Sequence, residues 1–293
     1  MEGESEGGDM TAQVVVGTDG SAHGEGAVAW AADDAVRRGC ALRIVYVCEP
    51  WTYDIPLQTP PGFRDSVAEH CRGVLESAVA VVRGRTPHLE VESVLREGRV
   101  TEILRREAEG AEQIVVGSRG LGGFTGLLLG SVSLSLAGHV AAPIVIVRGA
   151  WEPARGQVVV GFDGSAHSTA ALGYAFAEAV RRGARLRAIH AWQVPVMGPG
   201  AIAYAPLVED IFAGARSIAA GALTPWRERY PLVEVEQTVV CRHPAAAICE
   251  ASAAADLVVV GTRGMGRFGS ALLGSISHGV LHHAHCPVAV VGS

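Results

Sequence analysis

The sequence predicts an α/β protein built from two tandem copies of one domain, each a mostly parallel sheet with helices on both faces. Three observations carry this reading. The segment VVVGTDGS at Val14 to Ser21 returns as VVVGFDGS at Val158 to Ser165, so Asp19 and Asp163 lie 163 − 19 = 144 positions apart. The same offset, 261 − 117 = 144, relates VVGSRG at Val115 to Gly120 with VVGTRG at Val259 to Gly264, and it also joins Gly130-Ser131 to Gly274-Ser275 and Pro143 to Pro287. Each copy alternates short apolar runs with helix-period segments, the rhythm of βα units. A constant offset over such distances marks duplication. It divides the chain into domains at 13–149 and 157–293, with a linker around Gly149 to Gln157 where Gly, Pro and Arg interrupt the apolar pattern.

In the first copy, Val14 to Val16 form a short apolar strand ending at Gly17. A helix follows Ser21, with Val28, Ala31, Ala32 and Ala35 as its apolar stripe. Leu42 to Val47 is a second strand. An irregular stretch holding Pro50, Pro56, Pro60, Pro61 and Gly62 comes next, then a helix from Ser66 to Val82. Leu89, Val91, Ser93 and Leu95 alternate with charged or exposed neighbours, which predicts a strand with one less buried face. A helix over Val100 to Ala108 turns Ile103 and Leu104 inward. A buried strand over Ile114 to Val116, a helix over Ser131 to Val140 and a strand over Ile144 to Val147 complete the copy. The second copy repeats the course at Val158 to Val160, Leu172 to Val180, Leu186 to Ala191, Val233 to Val239, Leu257 to Val260, Ser275 to Leu281 and Val288 to Val291. Short, nearly unbroken apolar strands suit a parallel sheet buried on both faces.

Composition narrows the function classes. With 293 residues, a hydrophobic fraction of 49% and mean hydropathy of +0.27, the chain can bury two sizeable cores. Its 24 Lys plus Arg against 30 Asp plus Glu give a net charge of −6, so no global basic field gathers nucleic acid. No apolar run approaches the roughly 18 to 20 residues that span a bilayer. The acidic start, Met1 to Glu6, lacks the basic and apolar regions of a secretion signal, and a cytoplasmic location is expected, with neither membrane nor nucleic acid as partner. The six cysteines form no CxxC pair and read as ordinary thiols. His278, His282, His283 and His285 have no familiar zinc spacing, so no metal site is expected.

The candidate chemistry lies at the carboxyl ends of strands, where open parallel sheets bind ligands. Gly17 and Asp19 end one strand, Gly117 begins the loop after another, and the two ends can flank one crevice. From Gly117 the chain runs through Arg119 and Gly120 to Gly130 and Ser131, with five further glycines before a helix start. Glycine admits tight turns and close approach of backbone N–H groups to phosphate oxygens. Ser131 and Ser133 can add hydroxyl donors and Arg119 positive charge. The second copy offers Gly161 and Asp163 beside Gly261, Arg263, Gly264, Gly274, Ser275 and Ser277. Val132 and Ile276, between the paired serines, complete the candidate contacts. A connection whose serines merely cap a helix is the alternative, and Asp19 and Asp163 can equally cap the turns at Gly20 and Gly164.

These residues resemble the universal stress protein family, specifically its tandem-domain members, over nearly all of Gln13 to Ser293. The ATP-binding branch carries G-x-x-G, nine residues, then Gly followed by Ser or Thr. Gly117, Gly120, Gly130 and Ser131 match it, as do Gly261, Gly264, Gly274 and Ser275. HVAAPIVIV and HHAHCPVAVV late in the two copies are also similar to the family. The resemblance implies two Rossmann-like sandwich domains, each with a five-stranded sheet of order 3-2-1-4-5. It implies one ATP per repeat: Asp19 and Asp163 at ribose, Val47 and Ala191 at adenine through backbone groups, and Ser131, Ser133, Ser275 and Ser277 at phosphate. It further implies that Ile144 to Val147 and Val288 to Val291 pair as an internal pseudo-dimer, with a homodimer of whole chains beyond that.

ATP binding does not entail ATP hydrolysis. The loops lack the Lys and adjoining Ser or Thr of a Walker A signature, and no carboxylate or histidine is evidently placed beside the candidate phosphate serines. A nucleotide-dependent sensor with little or slow hydrolysis is therefore expected. A phosphoryl-transfer enzyme using Asp19 or Asp163 as base, and a nucleotide-free protein-interaction scaffold, are the alternatives. Phosphate charge makes Mg2+ a possible companion of ATP without a dedicated protein cage. The copies differ at Gly98 and Arg242 and at Val47 and Ala191, so two sites need not have equal strength. Arg242 is expected to enter solvent rather than meet phosphate.

Overall fold

A computed structural model describes residues 12–49, 62–122, 129–149, 155–193, 205–264 and 273–292. The first repeat runs β1 (Gln13–Gly17), α1 (Ala22–Arg38), β2 (Ala41–Cys48), α2 (Phe63–Arg85), β3 (Val91–Glu97), α3 (Val100–Glu107), β4 (Gln113–Gly117), α4 (Ser131–Ala137) and β5 (Ile144–Val147). The second runs β6 (Gln157–Gly161), α5 (Ala166–Arg182), β7 (Arg185–Trp192), α6 (Ala205–Arg229), β8 (Val235–Cys241), α7 (Pro244–Ser252), β9 (Leu257–Gly261), α8 (Ser275–His283) and β10 (Val288–Val291). The sequence reading named no counterpart of α6 or α7. Proline inside α6 at Pro225 and the alanine-rich turn of α7 blur the helical period there.

The strand order is β3-β2-β1-β4-β5-β10-β9-β6-β7-β8, so each repeat has the expected 3-2-1-4-5 order and the two sheets join into one of ten strands. Pairing is parallel within each repeat. Across the junction β5 and β10 run antiparallel, with Val145 opposite Ala289. Those two residues are themselves 289 − 145 = 144 apart, so a pseudo-twofold axis passes through this pair.

Local sequence explains the central elements. Val14, Val15 and Val16 of β1 and Val158, Val159 and Val160 of β6 are fully buried, because helices cover both sheet faces. Alternate residues feed separate cores: Val14 and Val16 belong to the one that draws on α1, α2, α5 and α6, and Val15 to the one that draws on α3, α4, α7 and α8. Helix α1 begins where the Ser21 hydroxyl accepts the Gly24 N–H, and stops at Gly39, whose φ of 67° needs glycine. Ser165 and Gly183 frame α5 in the same way.

Helices α1 and α5 meet beside the pseudo-twofold through charge. Asp34 and Glu178, related by the 144-residue offset, are fully buried. Arg38 donates to Asp34 at 2.5 Å and to Glu178 at 2.6 Å. Arg182 reaches Glu178 at 3.0 Å and Asp34 at 2.9 Å. Gln113 donates to Asp34 at 2.7 Å and accepts from Arg38 and from the Tyr174 hydroxyl. The guanidiniums also lie over aromatic rings, Arg182 at 5.1 Å from Trp30 and Arg38 at 5.7 Å from Tyr174.

Candidate functional site

The two central strands of each repeat bring the predicted glycines together. β1 and β4 are neighbours, and their carboxyl ends carry Gly17 to Asp19 and Gly117 to Gly120. The chain leaves β4, makes the Gly-rich excursion and returns to α4 through a closed neck. Gly130 donates its N–H to the Ser118 carbonyl at 2.7 Å, and the Ser133 hydroxyl donates to the Gly117 carbonyl at 2.7 Å. The second repeat closes identically, from Gly274 N–H to the Thr262 carbonyl at 2.7 Å and from the Ser277 hydroxyl to the Gly261 carbonyl at 2.6 Å. Positions 123–128 and 265–272, in the middle of the predicted cradles, lie outside the described residues.

Asp19 fastens the outgoing arm. One carboxylate oxygen accepts the Ser21 N–H at 3.0 Å, as the turn-capping alternative anticipates, and the other accepts the Leu121 N–H at 2.7 Å. This explains a glycine at 120, where a Cβ would stand 2.4 Å from an Asp19 oxygen. A Cβ on Gly264 would meet Asp163 at 2.5 Å, and Asp163 also accepts the Ser165 N–H. Gly117 is required for another reason, since a Cβ there would lie 2.7 Å from the His23 carbonyl, where α1 presses on the strand end.

The remaining candidates divide by exposure. Ser131 and Ser275 are exposed at the starts of α4 and α8, open to a ligand. Ser133 and Ser277 are buried, with hydroxyls committed to the neck. Val132 and Ile276 pack partly against the α3/α4/α7/α8 core, as do Val47 and Ala191 near the ends of β2 and β7. Arg242 stands exposed and pairs with Glu250 at 2.5 Å, so its side chain follows the solvent reading. Gly17 and Gly161 fit beneath Leu104 and Ile248, contacts of the core rather than the crevice.

One neighbour of the site escaped the sequence reading. His23, in the first turn of α1, lies between Arg119 and the end of the repeat. Arg119 Nε donates to His23 Nε2 at 3.0 Å, and the Gly149 N–H donates to His23 Nδ1 at 3.0 Å. Burial lowers the imidazole pKa from its ordinary value, as do nearby Arg119 and Arg148, against an opposing effect of Asp19. At the equivalent place His167 Nδ1 contacts the Thr262 hydroxyl at 3.2 Å. Recurrence of the histidine at the 144-residue offset was the available signal.

The family model described as the universal stress protein family matches residues 10–148 and again 155–292. The chain belongs to the universal stress protein family. A universal stress protein of Mycolicibacterium smegmatis is 35% identical over 289 residues, covering 95% of this chain and 96% of its own length. Another, from Mycobacterium tuberculosis strain H37Rv, is 36% identical over 289 residues and covers 94% and 96%. The crystal structure of a universal stress protein from Archaeoglobus fulgidus matches with a TM-score of 0.67 at 22% identity, covering 96% of this chain and 98% of that one, a likeness of fold. As a tandem universal stress protein, the chain keeps both Gly-rich necks intact, and none of its described helices is long and apolar enough to cross a membrane.

Proposed function

We propose that this universal stress protein binds ATP, one molecule per repeat, and serves stress response as a nucleotide-dependent sensor or regulator with slow hydrolysis at most. The observation that carries the reading is the repeated cradle: a Gly-rich excursion pinned at the carboxyl end of a central strand, with a helix start and an exposed serine at its return. Helix N-termini and glycine backbones suit phosphate oxygens. All 24 basic residues of the chain are arginines, so no Walker-type lysine can approach a transferring phosphoryl group, which favours retention over turnover.

In this reading Asp19 and Asp163 combine two tasks, holding the outgoing arm and presenting an acceptor to ribose hydroxyls. Exposed Ser131 and Ser275 donate to phosphate, and Arg119 and Arg263 offset its charge. Mg2+ arrives on the phosphate oxygens of the nucleotide. The chain works in the cytoplasm, and whole chains pair as homodimers, for which the outer strands β3 and β8 stand at the two ends of the described sheet.

The test is to purify the chain without added nucleotide, denature it and identify released small molecules, with calorimetric ATP titration alongside. Released or saturable ATP at two sites per chain is expected, and the paired substitutions Gly120→Ala and Gly264→Ala should weaken it. Absence of both release and saturable binding would overturn the proposal, and unchanged affinity in the folded double variant would overturn the cradle mechanism.

A further inference from the structure

His23 is asked for two lone pairs and has one. The Arg119 Nε–H and the Gly149 N–H are aimed at its two ring nitrogens, each at 3.0 Å. A neutral imidazole carries a hydrogen on one nitrogen and a lone pair on the other, so it can accept only one of these bonds at a time. The surroundings favour the neutral ring: partial burial and the charges of Arg119 and Arg148 outweigh Asp19. Protonation offers no escape, because an imidazolium has no lone pair and would lose both bonds.

We infer that His23 is a positioning residue that holds either Arg119 of the first Gly-rich loop or Gly149 at the start of the inter-repeat linker, but not both, according to which ring nitrogen bears the hydrogen. With the hydrogen on Nδ1, Nε2 accepts from Arg119 and the Gly149 bond opens. With the hydrogen on Nε2, Nδ1 accepts from Gly149 and Arg119 is free. The exchange moves one proton between ring nitrogens through solvent and leaves charge unchanged. Resting on the nucleotide reading above, the consequence is that an anion that takes Arg119 drives His23 onto Gly149, so ligand at the first loop tightens the linker.

Among the described residues the second repeat shows no such conflict. His167 meets the Thr262 hydroxyl, which can donate or accept and therefore satisfies either tautomer. Among the described contacts Arg263 makes no bond to His167. Among the described contacts the sites therefore differ in a way that motif comparison conceals: competition for the histidine is seen at the first arginine and not at the second.

The test uses the 15N-labelled full chain. Imidazole nitrogen shifts of His23 and the amide exchange rate of Gly149 are measured in wild type, Arg119→Ala and Arg263→Ala, each with and without ATP. Without ligand, wild-type His23 should show averaged tautomers. Arg119→Ala should shift it to the form with hydrogen on Nε2 and slow Gly149 exchange by about threefold or more, while Arg263→Ala leaves both unchanged. ATP should slow Gly149 exchange in wild type and add nothing in Arg119→Ala. A single wild-type tautomer, or Gly149 exchange indifferent to Arg119→Ala, overturns the inference. If Arg119→Ala acts as expected while ATP does not bind, the competition stands and the nucleotide reading falls. ATP binding that leaves Gly149 exchange unaltered in wild type overturns the coupling and spares the nucleotide reading.

Discussion

Replacing Glu178 by alanine tests how the repeats are held together. Its carboxylate is fully buried and accepts from three arginines, Arg38 at 2.6 Å, Arg181 at 2.9 Å and Arg182 at 3.0 Å. Without it, Asp34, helped only by the half-exposed Glu112 at 3.9 Å from Arg38, must balance the nearly buried guanidiniums of Arg38 and Arg182, whose side chains are 5% and 7% exposed. Removing one partner of a buried pair leaves uncompensated charge and costs about 3–5 kcal/mol. In a chain of this size that lowers Tm by roughly 10 °C. Glu178→Gln keeps hydrogen-bond acceptance and should lose less. Thermal unfolding followed by circular dichroism reads both, with Glu250→Ala as control. That residue's exposed pair with Arg242, at 68% and 54% side-chain exposure, should contribute less than about 1 kcal/mol. A Glu178→Ala loss no larger than the control would refute the argument that this cluster fastens α1 to α5.

Three further outcomes follow from local geometry. Gly173→Ala should destabilise the second repeat by about 1–3 kcal/mol through overpacking, since its Cβ would lie 2.6 Å from the Trp226 ring; unfolding midpoint and tryptophan fluorescence report it. Burial raises the pKa of the Glu107 carboxyl, but hydrogen bonds from Arg43 and Arg96, both at 2.7 Å, outweigh it and leave the value lowered from 4.5. Its contribution is thus present above the unfolded value and lost as pH falls through the lowered folded value, so Glu107→Gln should flatten the acid limb of the stability profile below about pH 4.5. Burial pushes the Cys286 thiol up to about 12, whereas Cys241 is exposed, so a thiol reagent at pH 8 should label Cys241 in the native protein and reach Cys286 only on unfolding, as peptide mass spectrometry will show.

Repetition made much of the architecture legible. The 144-residue offset exposed the repeat, and apolar runs located each described strand, because both are written in residue type and spacing. Side-chain direction is not written that way. Ser133 and Ser277 looked like phosphate donors, yet their hydroxyls turn to the carbonyls of Gly117 and Gly261. Asp34, Arg38, Glu178 and Arg182 also share the offset, but charges on a helix ordinarily face water. Only the approach of α1 to α5 makes them interior. His23 was missed similarly, since its importance depends on Gly149, 126 residues away along the chain.

The antiparallel meeting of β5 and β10 has a directional consequence. Within each repeat all strands point the same way, and the junction reverses that sense, so the two Gly-rich crevices open toward opposite poles of the molecule. Anything held at the two crevices would therefore lie at opposite edges of the sheet. Any coupling between the two ends has three physical routes on this scaffold: the shared sheet, the charged seam of α1 and α5, and the His23–Gly149 contact.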